Sequence, residues 1–318
     1  MRKCILLILP FLVWSCITLP SGDRIEPYRE TVLHRGGDEK LLVINISGMI
    51  VDRKPRNVFG SDLEMNITAS IREQLDKARK DDRIKGIVLK INSPGGSVTV
   101  SDIIYHEIMT YKKETGNYVI AQLGDMAASG GYYIATSADE IIAHPTTVTG
   151  SIGVIITMVN IEGLMEKIGI QNETVTSGKS KEMGSILKKM TPEEEKLFQE
   201  ITDIMYARFI AVVLKGRKEL TPETLKPVAD GRVLASPQAL KAKLIDHIGY
   251  WDDTVKIAAK HMESDDPTII SYTRPGRYTP NVYSRTSYES SGNINILSLD
   301  TDLFYSKYGI SFMYLWKP

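Results

Sequence analysis

Apolar positions along the chain alternate between two spacings. Leu41-Leu42-Val43-Ile44-Asn45-Ile46 is a short, nearly unbroken apolar run, the pattern of a buried strand. After a loop of glycine, proline and charge, Leu63, Ile67, Ile71, Leu75 and Ala78 recur at helical spacing. A second strand over 86–91 runs straight into Asn92-Ser93-Pro94-Gly95-Gly96. Val100, Ile103, Ile104, Ile108 and Tyr111 predict another amphipathic helix. A third strand over 118–123 leads to a Gly- and Ala-rich helix from about 127 to 138. Strands follow near 140–143 and 151–157, then a helix near 161–168. Thr191-Pro192-Glu193-Glu194 carries a capping threonine, a proline for the first turn and a glutamate able to close a capping box. An apolar face continues from it through Leu197, Ile201, Ile204, Met205, Phe209 and Val212. Strands alternating with helices imply an α/β fold with a parallel sheet.

The two ends break this pattern. Arg2 and Lys3 precede an apolar run from Ile5 to Trp14, which suits a signal peptide and is too short to span a bilayer as a helix. Ser15-Cys16 resembles a lipoprotein cleavage site, with Cys16 as the lipidated residue; an uncleaved anchor and plain secretion are the alternatives. The domain reading is therefore a targeting segment over 1–22, a catalytic domain over 23–262 and an extended tail over 263–318. The tail is rich in Pro, Tyr, Ser and Asn, yet Ile310 to Trp316 is apolar and suited to plug a groove or seal an interface.

Composition narrows the function. Acidic and basic side chains balance at 39 each, so no net field favours nucleic acid, and no basic stretch with interleaved aromatics is present. Cys4 and Cys16 are the only cysteines, which leaves the body without disulfides or thiolate metal sites. The five histidines show no paired ligand spacing, so neither metal nor cofactor is expected.

Two glycine clusters at strand–helix junctions are where chemistry is best placed. In Gly124-Asp125-Met126-Ala127-Ala128-Ser129-Gly130-Gly131, small residues leave the Ser129 hydroxyl approachable, and the Gly130 amide stands at a helix start. A second donor from Gly95 or Gly96 would complete an oxyanion hole. The same pattern also serves phosphate binding or simple turning. A triad of Ser129, His144 and Asp139 is a poor alternative, because three polar residues occur near any serine. Ser177-Gly178-Lys179-Ser180 fails as a phosphate loop, since Glu173 stands where the first glycine belongs.

The segment from Gly124 to Ala135 closely resembles the nucleophile region of signal peptide peptidase A, a Ser-Lys protease family. Asn92 to Gly96, Thr149-Gly150-Ser151-Ile152-Gly153-Val154, Lys181-Glu182-Met183-Gly184-Ser185, Gly231-Arg232-Val233 and Leu244 to Gly249 resemble its other motifs in the family's order. Ala235-Ser236-Pro237 departs from it, replacing a more usual Thr-Gly stretch.

The resemblance implies a Clp protease/crotonase-like spiral of ββα units with a helical extension. It implies Ser129 as nucleophile, Lys181 as general base, Ser151 as a support for the lysine, and Gly130 with Gly95 or Gly96 around the oxyanion. It further implies peptide substrates, signal-peptide remnants among them, and a homo-oligomer held at the cell-envelope membrane by its N-terminus. A non-catalytic scaffold of the same fold is the alternative. Lys179 stays open as a substitute base. Because only a neutral amine accepts the serine proton, Lys181 is expected to be largely buried and free of a carboxylate partner.

Overall fold

A computed structural model describes residues 27–52, 66–274 and 312–316. The targeting segment, including Cys4 and Cys16, lies outside the described residues.

Strand β1 (Arg29–His34) is followed by β2 (Lys40–Ser47), buried along almost its whole length. Helix α1 (Ile67–Ala78) starts where the Asn66 side chain accepts a hydrogen bond from the Ala69 amide. The chain then forms β3 (Ile84–Ser93), the three-residue β4 (Gly95–Ser97) and helix α2 (Val98–Thr115), which stops at Gly116 in the left-handed region. Next come β5 (Tyr118–Ala128), the short helix α3 (Gly130–Ala135), β6 (Glu140–Ala143) and β7 (Val148–Gly150). Strand β8 (Ile155–Ile156) and helix α4 (Glu162–Lys167) precede the long helix α5 (Pro192–Gly216). The predicted capping box opens α5: Thr191 accepts from the Glu194 amide, and Glu194 accepts from the Thr191 amide. Helix α6 (Pro222–Leu225), β9 (Val233–Ala235), α7 (Ser236–Lys241), β10 (His247–Ile248), α8 (Trp251–His261), β11 (Thr268–Thr273) and β12 (Phe312–Leu315) complete the described elements.

The main sheet has the order β1-β11-β2-β3-β5-β6-β10, with β7 on β5 and β9 on β7. All neighbours from β11 to β10 run parallel, and only β1 and β9 are antiparallel to their partners. Side chains alternate between two cores. Leu42, Ile44, Ile46, Leu89 and Ile91 face the large core with α1, α2, α3 and α5, while Leu41, Val43, Val88 and Ile120 face Trp251, Ala258 and Met262 on and just after α8. Burial of both faces explains why β2 and β3 read as continuous apolar runs rather than alternating ones. This mixed α/β architecture agrees with the Clp/crotonase-like fold expected above.

Three sequence expectations shift. The tail does not begin at 263, because β11 lies inside the sheet between β1 and β2. The helix expected from 127 begins only at Gly130, because Ala127 and Ala128 still pair with Thr149 and Gly150 of β7. The strand expected over 151–157 is broken, since Gly150 and Ser151 both take positive φ (80° and 51°).

Candidate active site

The site grows from a change of partner within β5. Residues Ile120 to Leu123 pair with β6, whereas Met126 to Ala128 pair with β7. The strand thus carries Ser129 past the end of β6 to the carboxyl edge of the sheet, where ligands bind in open α/β folds. Ser129 is only 1% exposed and has φ 52° and ψ −114°, a conformation that costs a non-glycine residue about 1–3 kcal/mol. Two backbone bonds hold it there: its amide donates to Gly150 O (2.8 Å), and its carbonyl accepts from the Tyr133 amide (2.8 Å). Its hydroxyl makes no capping hydrogen bond to α3.

The two glycine clusters meet at this point. A Cβ placed on Gly95 would stand 2.7 Å from the Gly130 amide nitrogen, and one on Gly130 would stand 3.2 Å from both Gly95 Cα and the Gly96 nitrogen. Side chains are therefore excluded where the two backbones touch. The Gly95 amide already donates to Ser93 Oγ (3.0 Å). The Gly96 backbone pairs with Tyr314 of β12, and Gly130 begins α3. Ser151 is also close in the fold, directly after the Gly150 carbonyl that receives the Ser129 amide; its own amide donates to Arg232 O (2.8 Å), and it is buried.

Lys181 departs from expectation. It is exposed, in a run of turns between α4 and α5, where its amide donates to Gly178 O (3.0 Å). No hydrogen bond joins it to Ser129. The neighbouring Glu182 accepts from Asn172 (3.1 Å). Lys179 is exposed in the same turns. The local packing is open: Leu164, Ile168, Ile170 and Val175, in and before these turns, are themselves exposed (52–95%) among the described residues. Burial does hold the amine of Lys90 below its ordinary range, but Lys90 follows Val88 on the α8 side of β3, the opposite face from α3.

The Ser129–His144–Asp139 alternative fails on commitments. Asp139 pairs with Lys112 (2.7 Å) and accepts from the Val119 amide (2.9 Å), while the His144 ring lies beside Tyr250 at 5.6 Å. No cluster of three or more potential metal ligands occurs among the described residues. Val98, at the start of α2, is buried, and Met126, near the end of β5, is half-buried.

Sequence reasoning missed an aromatic chamber beside the glycines. Tyr133 of α3 packs edge-on against Tyr105 (5.5 Å) and Phe209 (5.0 Å). Its hydroxyl donates to Asp102 (2.5 Å), which also accepts from Arg208 (2.8 Å). The Tyr132-Tyr133 pair beside Ser129 was a visible signal, but nothing in the sequence said which residues would face it.

Comparison with known proteins gives independent support. Residues 111–265 match the model of peptidase family S49. A protein of Enterococcus faecium described as a signal peptide peptidase SppA is 37% identical over 243 residues, covering 76% of this chain and 70% of its own length. Protease 4 of Salmonella typhi is 36% identical over 241 residues, 72% of this chain but only 37% of that protein. The chloroplastic serine protease SPPA of Arabidopsis thaliana is 32% identical over 254 residues, again covering 37% of the relative.

Proposed function

Because this chain belongs to the SppA group of the S49 serine peptidases, we propose that it is a membrane-associated serine endopeptidase that degrades released signal peptides and other short apolar peptides, with Ser129 as nucleophile and Lys181 as general base. The observation that carries this reading is the strained, buried Ser129 at the head of α3, set against the glycine backbone of 95, 96 and 130.

In the reaction, Ser129 Oγ attacks a peptide carbonyl carbon as its proton passes to the Lys181 amine. Negative charge on the carbonyl oxygen is stabilised by the Gly130 and Gly96 amides. The C–N bond then breaks, the amine leaves with the proton held by the lysine, and water hydrolyses the acyl-serine by the same path in reverse. The lysine must be neutral to begin, which requires that water be removed from around it. The exposed apolar residues near Lys181 support one means: in this reading a second copy of the chain covers this face and dries the site. Activity would then depend on assembly. Lipidation at Cys16 would hold the assembly at the cell envelope, close to leftover apolar peptides; among the described residues no helix is long and apolar enough to cross a membrane.

Exposure of Lys181 is also the observation that favours a non-catalytic scaffold, and one experiment separates the two. Cleavage of an apolar peptide is compared for wild type, Ser129→Ala and Lys181→Ala at matched oligomeric state. Loss of at least a thousandfold in both variants is expected. Equal rates in all three would sink the peptidase reading.

A further inference from the structure

Helix α3 is too short to hold itself. Its six residues are well short of the roughly 12–15 at which an isolated helix becomes even marginal. Yet it must be held firmly, because the φ and ψ of Ser129 at its head persist only where the surroundings over-determine them. One of the two backbone bonds to Ser129 comes from the Tyr133 amide (2.8 Å). Whatever fixes Tyr133 therefore acts on the serine about one turn away.

Tyr133 is fully buried, and its ring is closed in by Tyr105, Phe209 and Tyr314 (5.5, 5.0 and 5.1 Å). Ring contacts limit where α3 lies; the hydroxyl settles its roll, by donating to Asp102 Oδ1 (2.5 Å). Arg208 of α5 donates to the same oxygen through Nε (3.1 Å) and a terminal nitrogen (2.8 Å). One oxygen on α2 thus ties α3 to α5. The preceding residue bears on α3 as well, since a Cβ on Gly130 would lie 2.5 Å from Ser101 Oγ. Consecutive residues of α2 therefore meet the first residue of α3 and the tyrosine that holds it. On another side the Tyr132 hydroxyl donates to Leu244 O (2.8 Å), so α3 has one neutral anchor and one charged one. The side chains of Asp102 and Arg208 are partly open to solvent, so their ion pair by itself adds little to stability.

We infer that Asp102 is a positioning residue for the reaction at Ser129: by holding the Tyr133 hydroxyl, it sets the roll of α3 and with it the direction of the Ser129 hydroxyl and the Gly130 amide. This rests on the reading of Ser129 as nucleophile given above. The carboxylate acts through Tyr133 and not on the peptide. A hydrogen bond to an ionised acceptor is shorter and stronger than a neutral one, so it fixes an angle that ring contacts leave soft. Misplacing a reacting group by about 1 Å costs on the order of 10²-fold in rate. The loss falls on kcat rather than KM, because a bound peptide needs the serine oxygen aligned only in the transition state. Tyr133 and Arg208 both use Oδ1, so asparagine, with its carbonyl oxygen in that place, keeps every one of these bonds.

The test compares full-length variants in cleavage of an apolar peptide, at matched oligomeric state and beside thermal melting. Asp102→Ala should lower kcat by at least about twentyfold with KM within about twofold, and should slow labelling of Ser129 by a serine-directed phosphonate in proportion. Asp102→Asn should stay within about threefold of wild type in kcat. Asp102→Ala also strands a buried hydroxyl and lowers the melting temperature. The deciding variant is therefore the double one, Asp102→Ala with Tyr133→Phe, which strands nothing: its melting temperature should recover while kcat stays low. Glu107→Ala, which breaks another ion pair of α2, with Arg72, should leave kcat unchanged. A double variant that regains full kcat along with its stability would show a merely structural bond and overturn the inference, as would an Asp102→Ala enzyme at wild-type kcat. Hydrogen exchange of the Tyr133 amide reads the pin without chemistry, and should be at least about tenfold faster in the double variant. Faster exchange beside an inert Ser129 would support the pin and reject only the peptidase reading; unchanged exchange would reject the pin.

Discussion

Replacing Gly130 by alanine should separate stability from catalysis. Gly130 is the first residue of α3, and its φ is not positive, so the backbone itself accepts a side chain. Alanine there gains at most about 1 kcal/mol of helix propensity. The new methyl would stand 2.5 Å from Ser101 Oγ, too close for any real contact, and 3.2 Å from Gly95 Cα and the Gly96 nitrogen. Ser101 is buried and donates to Ser97 O (2.9 Å), so displacing its hydroxyl forfeits a bond worth about 1 kcal/mol. These terms nearly cancel, and the melting temperature should move by no more than about 4 °C. The backbone of 95 and 96, however, must retreat by a few tenths of an ångström from the Gly130 amide. If these amides share the oxyanion, kcat should fall by about 10²–10³. The assay is peptide cleavage beside a thermal melt on the same sample. Adding Ser101→Ala removes the nearest obstacle and should restore at least tenfold of the lost rate. A folded Gly130→Ala enzyme with undiminished kcat would refute the assignment of the glycine amides.

Ser129→Gly should be inactive yet more stable by about 1 kcal/mol, because glycine takes φ 52° without strain; a lower melting temperature would show that the serine side chain supports the turn. Asp246→Ala would strand the buried Arg217 guanidinium, which it holds through two bonds of 2.7 Å, and should cost about 3–5 kcal/mol by urea unfolding, against a smaller loss for Asp246→Asn. Burial alone would raise the Asp81 carboxyl, but bonds from Lys40 and Arg83 outweigh it and hold it at about 2. A depressed carboxylate contributes stability above its unfolded value of 3.8 and loses it as pH falls toward 2. Asp81→Asn should therefore be less stable than wild type by a constant margin from about pH 5 to 8, with the gap closing between about pH 4 and 2; a margin unchanged at low pH would contradict the pairing.

Much of this protein was written in its linear pattern. The apolar runs of β2, β3 and β5, the spacing of α1 and α2 and the capping box of α5 are set by neighbours along the chain, through side-chain period and local hydrogen bonds. The two glycine clusters were legible for the same reason, since a run of residues without bulk marks where backbones approach. Other features depend on residues far apart in sequence. The turn at Ser129 is imposed by β7 pairing with the end of β5, which also ended the expected helix early. Burial of Lys181 was expected from the chemistry a base requires, but the described fold leaves it exposed in turns between α4 and α5. The chamber joins Tyr105, Tyr133, Phe209 and Tyr314 from four elements, and the apolar stretch near the C-terminus revealed its need for cover without revealing its partner. Periodicity reports which face of an element must leave water, and only the folded chain decides what that face meets.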